Sequence, residues 1–297
     1  MDAAHGSRRR RDRRAEWLLS LPTLAGLTLL VVLPTLLVFG IALRPATPYG
    51  GIGPGWTLDN VRALATPGTL EVAWRTLWMS VLTTVFCLAL ALPAGYTIAR
   101  APARWRDRLL LLVIVPFWTS FLVRVFAWKS LLHPEGPLKK ALEAVGLVDP
   151  AATLLYHPSA VVLVMVYTFL PFTILPIYAA AEKFDFRLVE AARDLGARPF
   201  AAFRRVFLPG IKRGVLTAVL VVLIPALGSY IIPDLVGGPG SEMLGNKIAQ
   251  RVFTDRNLPQ AAALSAVLIL AVMAPLLAVL ALQRKNRRSD IVIGEAP

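Results

Sequence analysis

Long apolar stretches alternate with short polar segments along the chain, and this pattern predicts most of its architecture. Six stretches are long enough, at about 17–25 residues, to cross the roughly 30 Å of hydrocarbon in a bilayer. Backbone groups in lipid must pair within their own segment, and the alternation of a β-barrel is absent. The pattern therefore predicts an all-α integral membrane protein with six transmembrane helices. These helices are expected at Trp17–Leu43, Val72–Ala99, Leu109–Leu132, Ser159–Ala181, Gly214–Pro233 and Leu258–Leu282.

Composition agrees with lipid as the solvent of this chain. Only 17% of the residues are charged and the mean hydropathy is +0.62, whereas a soluble domain has about 25% charged residues. The lone cysteine, Cys87, lies inside an apolar stretch, so we expect neither a disulfide framework nor a CxxC metal site. No catalytic residue and no metal ligand set is predicted from the sequence.

The distribution of Lys and Arg predicts the orientation. With the N-terminus inside, the segments 1–16, 100–108, 182–213 and 283–297 carry 22 of the 32 basic residues, and the three opposite loops carry 8. The positive-inside rule then places both termini in the cytoplasm. Because these residues are spread over four segments, a nucleic-acid-binding face is not predicted.

The same pattern divides the chain into three parts. We expect a basic cytoplasmic tail at 1–16, a six-helix membrane domain at 17–283 and a cytoplasmic tail at 284–297. The membrane domain contains a cytoplasmic loop at 182–213. On the opposite side, "GPLKKALEAVGL" has Leu138, Leu142 and Val145 at helical spacing, which predicts a short helix on the outer surface.

An outer loop contains a near match to a phosphate-binding pattern. Gly240 and Gly245 have the spacing of G-x-x-x-x-G-K-[ST], but Asn246 stands before Lys247 and no Ser or Thr follows that lysine. The loop also faces away from cytoplasmic nucleotide. We therefore expect no ATP binding by this chain through the motif.

The loop at 182–213 is polar and helical in pattern. In "EKFDFRLVEAARDL", charged residues mostly occupy the face opposite the apolar positions, which is typical of an amphipathic helix. The apolar positions are Phe184, Leu188, Ala191 with Ala192, and Leu195.

A second short helix is expected after the first. Gly196 stands where a C-terminal cap glycine belongs, and Pro199 suits the first turn of a following helix. Pro209 is expected to close that helix. A helix lying at the membrane surface and a DNA-binding helix-turn-helix are alternative interpretations of such a pair. The apolar side of the second helix contains Phe200, Phe203 and Phe207.

This loop resembles the "EAA" signature of permease subunits in binding-protein-dependent ABC importers. The match covers twenty residues with fixed spacing and falls before the penultimate predicted span, as in the family. One position departs from the signature, since valine stands where isoleucine is usual. The matching residues are Glu190, Ala191, Ala192, Gly196, Val206, Leu208 and Pro209.

The resemblance implies a type I ABC importer permease fold in a bacterial cytoplasmic membrane. It implies that the loop forms a coupling helix that docks on an ATP-hydrolysing subunit. ATP and Mg²⁺ would be bound by that partner, and this chain would carry no cofactor. Further implied partners are a second, homologous permease, a dimer of the ATP-binding subunits and an extracytoplasmic substrate-binding protein.

Two further segments are similar to permeases of spermidine/putrescine transporters. They are "PFWTSFLVRVFAWKSLL" at 116–132 and "LGSYIIPDLVGGPGSEMLGNKI" at 227–248, and "RNLPQAAALSAVL" near the last span agrees with them. The resemblance implies import of polyamines. Relatives in that group carry iron, thiamine or opine-like compounds, and these remain alternatives, as does a secondary carrier driven by an ion gradient.

Three residues are candidates for the substrate pathway or its gate. Asp234 is an acid at the edge of a span, just after Tyr230, and could attract an ammonium group beside an aromatic ring. Alternatively, Asp234 pairs with Arg124 of the third span, because ionisable residues inside membranes commonly pair. The sequence leaves both interpretations open.

Overall fold

The computed structural model describes residues 20–47 and 50–294, and its regular elements there are helices. An isolated β-bridge joins Ala46 to Ile52. The helices are α1 Ser20–Ala42, α2 Asp59–Leu64, α3 Pro67–Arg100, α4 Ala103–Trp118, α5 Phe121–Leu132, α6 Pro137–Ala144, α7 Pro158–Glu182, α8 Arg187–Asp194, α9 Pro199–Gly210, α10 Lys212–Leu227, α11 Ile231–Val236, α12 Leu244–Phe253 and α13 Leu258–Gly294.

Four described helices are long and apolar enough to cross a membrane, and the number rises to six if each of two bent pairs forms one span. The four are α1, α3, α7 and the part of α13 at Leu258–Ala278. The bent pairs are α4 with Phe121–Ala144, at 90°, and α9 with α10, at 77°. The structure therefore confirms an all-helical membrane architecture with at least four candidate spans.

The third predicted span, Leu109–Leu132, is wrong as a continuous helix. It breaks between α4 and α5, where Thr119 has an extended backbone with ψ of 153°. Pro116 lies in the short 3₁₀ turn just before the break and has no N–H to continue an α-helical ladder. The Thr119 hydroxyl donates to the Pro116 carbonyl at 2.8 Å and satisfies one group that the break leaves free.

The fifth predicted span, Gly214–Pro233, is also interrupted. α10 ends at Leu227, and α11 begins at Ile231 after a short non-helical link. In an uninterrupted helix the N–H of residue 233 would bond to the carbonyl of Ser229, and proline has no such donor. The break therefore falls in the turn before Pro233.

One compact unit consists of the described residues up to Thr66 together with Gln250–Val267. The carboxamide of Asn60 donates to the carbonyls of Ala42 and Arg44, at 3.1 and 2.7 Å. These bonds satisfy carbonyl groups that the C-terminus of α1 leaves without helical partners. The buried centre of this unit contains Ala42, Ala262 and Ala263, with Val38, Ile41 and Leu64 packed against them.

The second unit consists of Pro67–Ala249 and the described residues from Leu268 onward. Its framework is α3, α7 and α10, which pack against one another. A Cβ atom added at Gly95 of α3 would lie 2.7 Å from Cγ2 of Ile177, and one at Gly214 of α10 would meet the Cβ of Ala180 in α7. Glycine therefore sets how closely these helices approach, as is common between membrane helices.

The short outer helix is confirmed as α6, but its buried residue is a lysine. Lys139 is 5% exposed, and its Nζ donates to the Pro150 carbonyl at 2.8 Å and lies 3.1 Å from Glu143. Val145, predicted to lie on the packed face, is 73% exposed. Leu138 and Leu142 of the predicted apolar positions are partly buried, and Leu138 packs against the neighbouring core.

Candidate functional site

The candidate site is the bent helix pair α8 and α9, at the end of the framework where α3 and α7 terminate. Gly196 joins the two helices with φ of +89°, a left-handed conformation that glycine adopts without strain. Its N–H donates to Arg193, and the Ala197 N–H donates to Ala192, which is the bonding of a glycine-terminated helix. Pro199 occupies the first turn of α9. Both predicted helices and the bend are confirmed.

The packed face of α8 differs from the predicted one. Val189 is 3% exposed, whereas Leu188 and Leu195 are 54% and 89% exposed. Phe200 at the start of α9 is 73% exposed. We call Leu188, Leu195 and Phe200 the docking face, because these three apolar side chains project away from the framework. The sequence pattern placed them on the apolar sides of the two helices and did not distinguish a side that packs on the framework from one that is exposed to a partner.

A shallow concavity of about 500 Å³ lies beside the docking face. Its lining includes the charged side chains of Arg193 and Asp194 and the Gly196 bend, together with Glu190 of the EAA signature. A charged concavity next to exposed apolar side chains suits contact with another protein.

Five aromatic rings fill the space beneath α8 and α9. The Tyr96 ring of α3 makes edge contacts with Phe186, Phe203 and Phe207, with ring centroids 5.6, 5.5 and 4.9 Å apart. Phe184 adds contacts to Phe186 and Phe207 at 5.5 and 5.4 Å. Edge-to-face pairs of this kind stabilise by about 0.5–1.5 kcal/mol each beyond their buried area. We call these five residues the aromatic cluster.

One ion pair ties α8 to the framework, and a second joins α4 to the end of α7 beside the site. Arg100 at the end of α3 lies 3.6 Å from Glu190, and it donates to the Tyr96 hydroxyl at 2.8 Å. Arg106 of α4 lies 3.2 Å from Glu182 at the end of α7. The sequence analysis did not identify Tyr96 or Arg100. The available signal was a basic residue at the end of an apolar helix with an aromatic residue four positions before it.

The second half of α9 contains an irregular turn. Residues Phe203–Phe207 form a π-helical segment, and the N–H of Leu208 donates to the carbonyl of Phe203, five residues back. Pro209 lies in the last turn, and the helix ends one residue later, at Gly210. A Cβ atom at Gly210 would collide with the Phe184 ring. Val206, by contrast, packs partly buried against the neighbouring core.

The link between α7 and α8 contains a local charge pair. Asp185 accepts hydrogen bonds from the Arg187 side chain and backbone N–H, at 3.0 and 3.1 Å. These bonds hold the pKa of the Asp185 carboxyl below its ordinary value, and the pair raises the pKa of the Arg187 guanidinium. The chain therefore enters α8 in a defined direction.

The three pathway candidates lie at the end of the second unit that the sequence predicts to face outward, here called the outer end. Tyr230, 45% exposed, precedes α11, and its carbonyl accepts a 3.0 Å hydrogen bond from Asn246. Asp234 is exposed on α11. Among the described residues, no ion pair joins Asp234 to Arg124, although α11 packs against α5. The structure therefore does not bring these two side chains into an ion pair, and their roles in the pathway stay predictions.

A buried hydrogen bond also fixes this outer end and was not predicted. The hydroxyl of Thr76 in α3 accepts from the Leu244 N–H at 2.8 Å, and it donates to the Val72 carbonyl at 2.8 Å. Arg75 pairs with Glu71 and donates to the Pro239 carbonyl at 3.2 Å. Bonds between residues so distant in sequence leave no local signal in the sequence.

Within the described part of the chain, no group of three or more His, Cys, Asp or Glu residues could hold a metal ion. The geometry at α8 and α9 also contains no nucleophile paired with a base. What the arrangement can do is mechanical: it presents a rigid, bent helix pair and connects it to three framework helices.

Comparison with known proteins agrees with the family signature. Residues 91–288 match the family described as binding-protein-dependent transport system inner membrane component. The chain is 36% identical over 242 residues to the spermidine/putrescine transport system permease protein PotB of Escherichia coli (strain K12), covering 82% of this chain and 88% of the relative. It is 37% identical over 235 residues to the protein of the same description in Haemophilus influenzae, covering 79% and 82%.

Solved structures show the same fold. A permease chain in the crystal structure of a bacterial ABC transporter for the acidic polysaccharide alginate matches with a TM-score of 0.73 at 18% identity, covering 95% of this chain and 99% of that one. A chain of the MetNI methionine ABC transporter, in inward-facing form, matches with a TM-score of 0.56 at 19% identity, covering 74% and 98%. The predicted type I permease fold is confirmed at the level of architecture.

Proposed function

Because the chain belongs to the family of inner membrane components of binding-protein-dependent transport systems, we propose that it is one permease subunit of an ATP-driven polyamine importer. The polyamine assignment rests on the 36% identity with spermidine/putrescine permeases over most of both chains. In this proposal the chain forms half of the translocation pathway in a bacterial inner membrane. It catalyses no bond chemistry.

The proposed assembly contains four kinds of component. A second, homologous permease completes the pathway, a dimer of cytoplasmic ATPases binds ATP and Mg²⁺, and an extracytoplasmic protein delivers the substrate. The chain crosses the membrane six times with both termini in the cytoplasm. The bent pairs allow a count of up to six, with α10 as the spanning part of its pair because α9 belongs to the cytoplasmic loop. The excess of basic residues in the inner segments supports the orientation.

The docking face supports the proposed contact with the ATPase. Its leucines and its phenylalanine are exposed on a short, rigid helix pair, and buried apolar and aromatic groups contribute most of the binding energy at protein interfaces. Glu190 and the charged rim of the concavity would then pair with polar groups of the partner. Movement of α8 and α9 would reach α3 through the aromatic cluster.

Two residues at the outer end give less direct support for the proposal that the substrate is a cation. The exposed carboxylate of Asp234 and the nearby ring of Tyr230 could attract an ammonium group through charge and cation–π interaction. Import of iron, thiamine or an opine-like compound remains the alternative within the same family. A carrier driven by an ion gradient would need acids inside its spans, which the apolar segments of this sequence nearly lack.

Uptake of labelled putrescine and spermidine tests the proposal. We expect cells that lack this chain, and any second polyamine system, to lose uptake, and the restored chain to recover it. Proteoliposomes with the purified importer should require internal ATP and should be indifferent to a protonophore. Unchanged uptake in the deletion strain would remove the polyamine assignment, and uptake abolished by the protonophore alone would favour the gradient-driven carrier.

A further inference from the structure

No residue in the described part of the chain pairs with the charge on the Arg124 side chain. Its Nε and Nη1 atoms are buried and have no hydrogen-bond partner. Its guanidinium carbon lies 4.2 Å from the centre of the Phe117 ring. The ring attracts the charge, but it cannot accept hydrogen bonds in the plane of the guanidinium, where the N–H donors point.

The position of Arg124 makes the unpaired charge more costly. The residue lies in the first turn of α5, and the N-terminal end of a helix carries partial positive charge that opposes a cation. α5 also belongs to an apolar segment expected in the membrane, where an ionised side chain is expensive unless it is paired. No described acid forms an ion pair with it, and this includes Asp234 of α11, a helix that packs against α5.

The surface around Arg124 is apolar and exposed. Trp118, Leu122 and Val123 are 77%, 47% and 62% exposed. Lipid could cover such side chains, but hydrocarbon offers no acceptor to the guanidinium. A protein surface that carries an acidic group would satisfy both the apolar side chains and the charge.

We propose that Arg124 receives a carboxylate from the second permease subunit, so that this face of α5 is part of the interface between the two permeases. The inference rests on the proposed function, since it requires a paired permease. A polyamine cannot supply the missing group, because its ammonium groups would repel the guanidinium. The carboxylate would accept hydrogen bonds from the buried nitrogens, the strong charge-assisted kind.

Co-purification of the complex tests the proposal. The tagged chain is expressed with the complete importer, and the amount of second permease that it retains in detergent is measured. We expect Arg124→Glu to retain at least about tenfold less, because two carboxylates would then face each other in a partly buried site. Lys129→Glu changes the charge equally on the same helix and should retain the wild-type amount.

A second variant distinguishes loss of the interface contact from a folding defect. If Arg124 is unpaired in the isolated chain and paired in the complex, Arg124→Met should raise the unfolding temperature of the purified chain alone. The same change should lower the retention of the second permease, since the partner's carboxylate loses its cation. Replacing a residue with a purely structural role would not raise the unfolding temperature of the isolated chain while lowering the retention of the second permease.

Charge reversal in the partner identifies the group. Each acidic residue in the membrane spans of the second permease is replaced by lysine in combination with Arg124→Glu, and one replacement should restore retention and uptake. Nanodiscs of neutral phosphatidylcholine, with and without anionic phosphatidylglycerol, separate a lipid headgroup from a protein carboxylate.

The outcomes distinguish this inference from the proposed function. If the wild-type chain retains no second permease, the proposed function fails and the inference fails with it. If the wild type retains it and both Arg124 variants do so equally well, only the inference is overturned. It is also overturned if no lysine replacement rescues Arg124→Glu and the wild-type complex requires anionic lipid.

Discussion

The guanidinium of Arg100, the last residue of α3, lies 3.6 Å from the carboxylate of Glu190 in α8. The same guanidinium donates to the Tyr96 hydroxyl, and the Tyr96 ring contacts three phenylalanines of the aromatic cluster. α8 is therefore connected to α3 by a polar contact at the surface and by ring contacts beneath it. A displacement of α8 would be transmitted to α3, the longest framework helix, through both the polar contact and the ring contacts.

Arg100→Gln should reduce transport more than stability. The Arg100 and Glu190 side chains are 39% and 57% exposed, and pairs of this kind contribute at most about 1 kcal/mol. We expect a nearly unchanged unfolding temperature and a several-fold lower ratio of substrate transported to ATP hydrolysed. Arg62→Gln breaks a comparable exposed pair with Asp59 and serves as the control. A normal transport ratio in Arg100→Gln would mean that the contact carries no movement.

Gly210→Ala should destabilise the site directly. The new methyl group would collide with the Phe184 ring, and such overpacking costs about 1–3 kcal/mol. Thermal unfolding of the purified chain should show the loss. At Gly68, near the start of α3, a Cβ atom meets nothing within 4 Å, so Gly68→Ala should leave the unfolding temperature unchanged or slightly raised. Equal unfolding temperatures for the two variants would contradict the packing of Phe184 on α9.

Comparing Gly196→Ala with Gly146→Ala separates the effect of backbone strain from the effect of a change in the proposed docking site. Gly196 and Gly146 have φ of +89° and +74°, and a Cβ atom at either would meet nothing within 4 Å. Each alanine variant should therefore lose about 1–2 kcal/mol of stability, the cost of a left-handed backbone. Only Gly196→Ala should also reduce ATP-dependent uptake, since only that bend lies in the proposed docking site. Loss of uptake in both variants would assign the effect to stability alone.

Thr76→Val should loosen the outer end of the second unit. The substitution preserves shape but leaves the buried N–H of Leu244 without its acceptor, at a cost of about 1–3 kcal/mol. Hydrogen exchange at the Leu244 amide should accelerate accordingly. Thr84 of the same helix donates only to the Ser80 carbonyl, so Thr84→Val is the matched control and should change little. Unaltered exchange in Thr76→Val would show that the bond does not hold this loop.

The sequence predicted the elements whose signals are local. The α8–α9 bend follows from Gly196 and Pro199, and α6 follows from helical spacing after Pro137. The two interrupted spans were not predicted, although Pro116 and Pro233 were visible. Proline is tolerated in many membrane helices, as at Pro93 of α3, so its presence alone does not locate a break.

The contacts of the candidate site were predicted less well, for a physical reason. In a membrane protein, apolar side chains face lipid, core or partner alike, so hydrophobicity does not identify which face of α8 packs inward. Val189 rather than Leu188 is therefore buried. The cluster around Tyr96 joins residues about one hundred positions apart, and such contacts depend on the assembled framework.

The π-helical segment Phe203–Phe207 in α9 shows how the number of residues in this loop determines the direction in which its side chains face. Each residue of an α-helix adds about 100° of rotation but only about 1.5 Å of rise. A π turn holds one residue more than an α-helical turn, so deleting one residue from the segment would restore a regular α-helix and leave the residues before it facing nearly as they do. A deletion in the α-helical part of α9 would instead turn those residues by about 100° about the helix axis. The nine residues between Gly196 and Val206 therefore set the direction in which the docking face points.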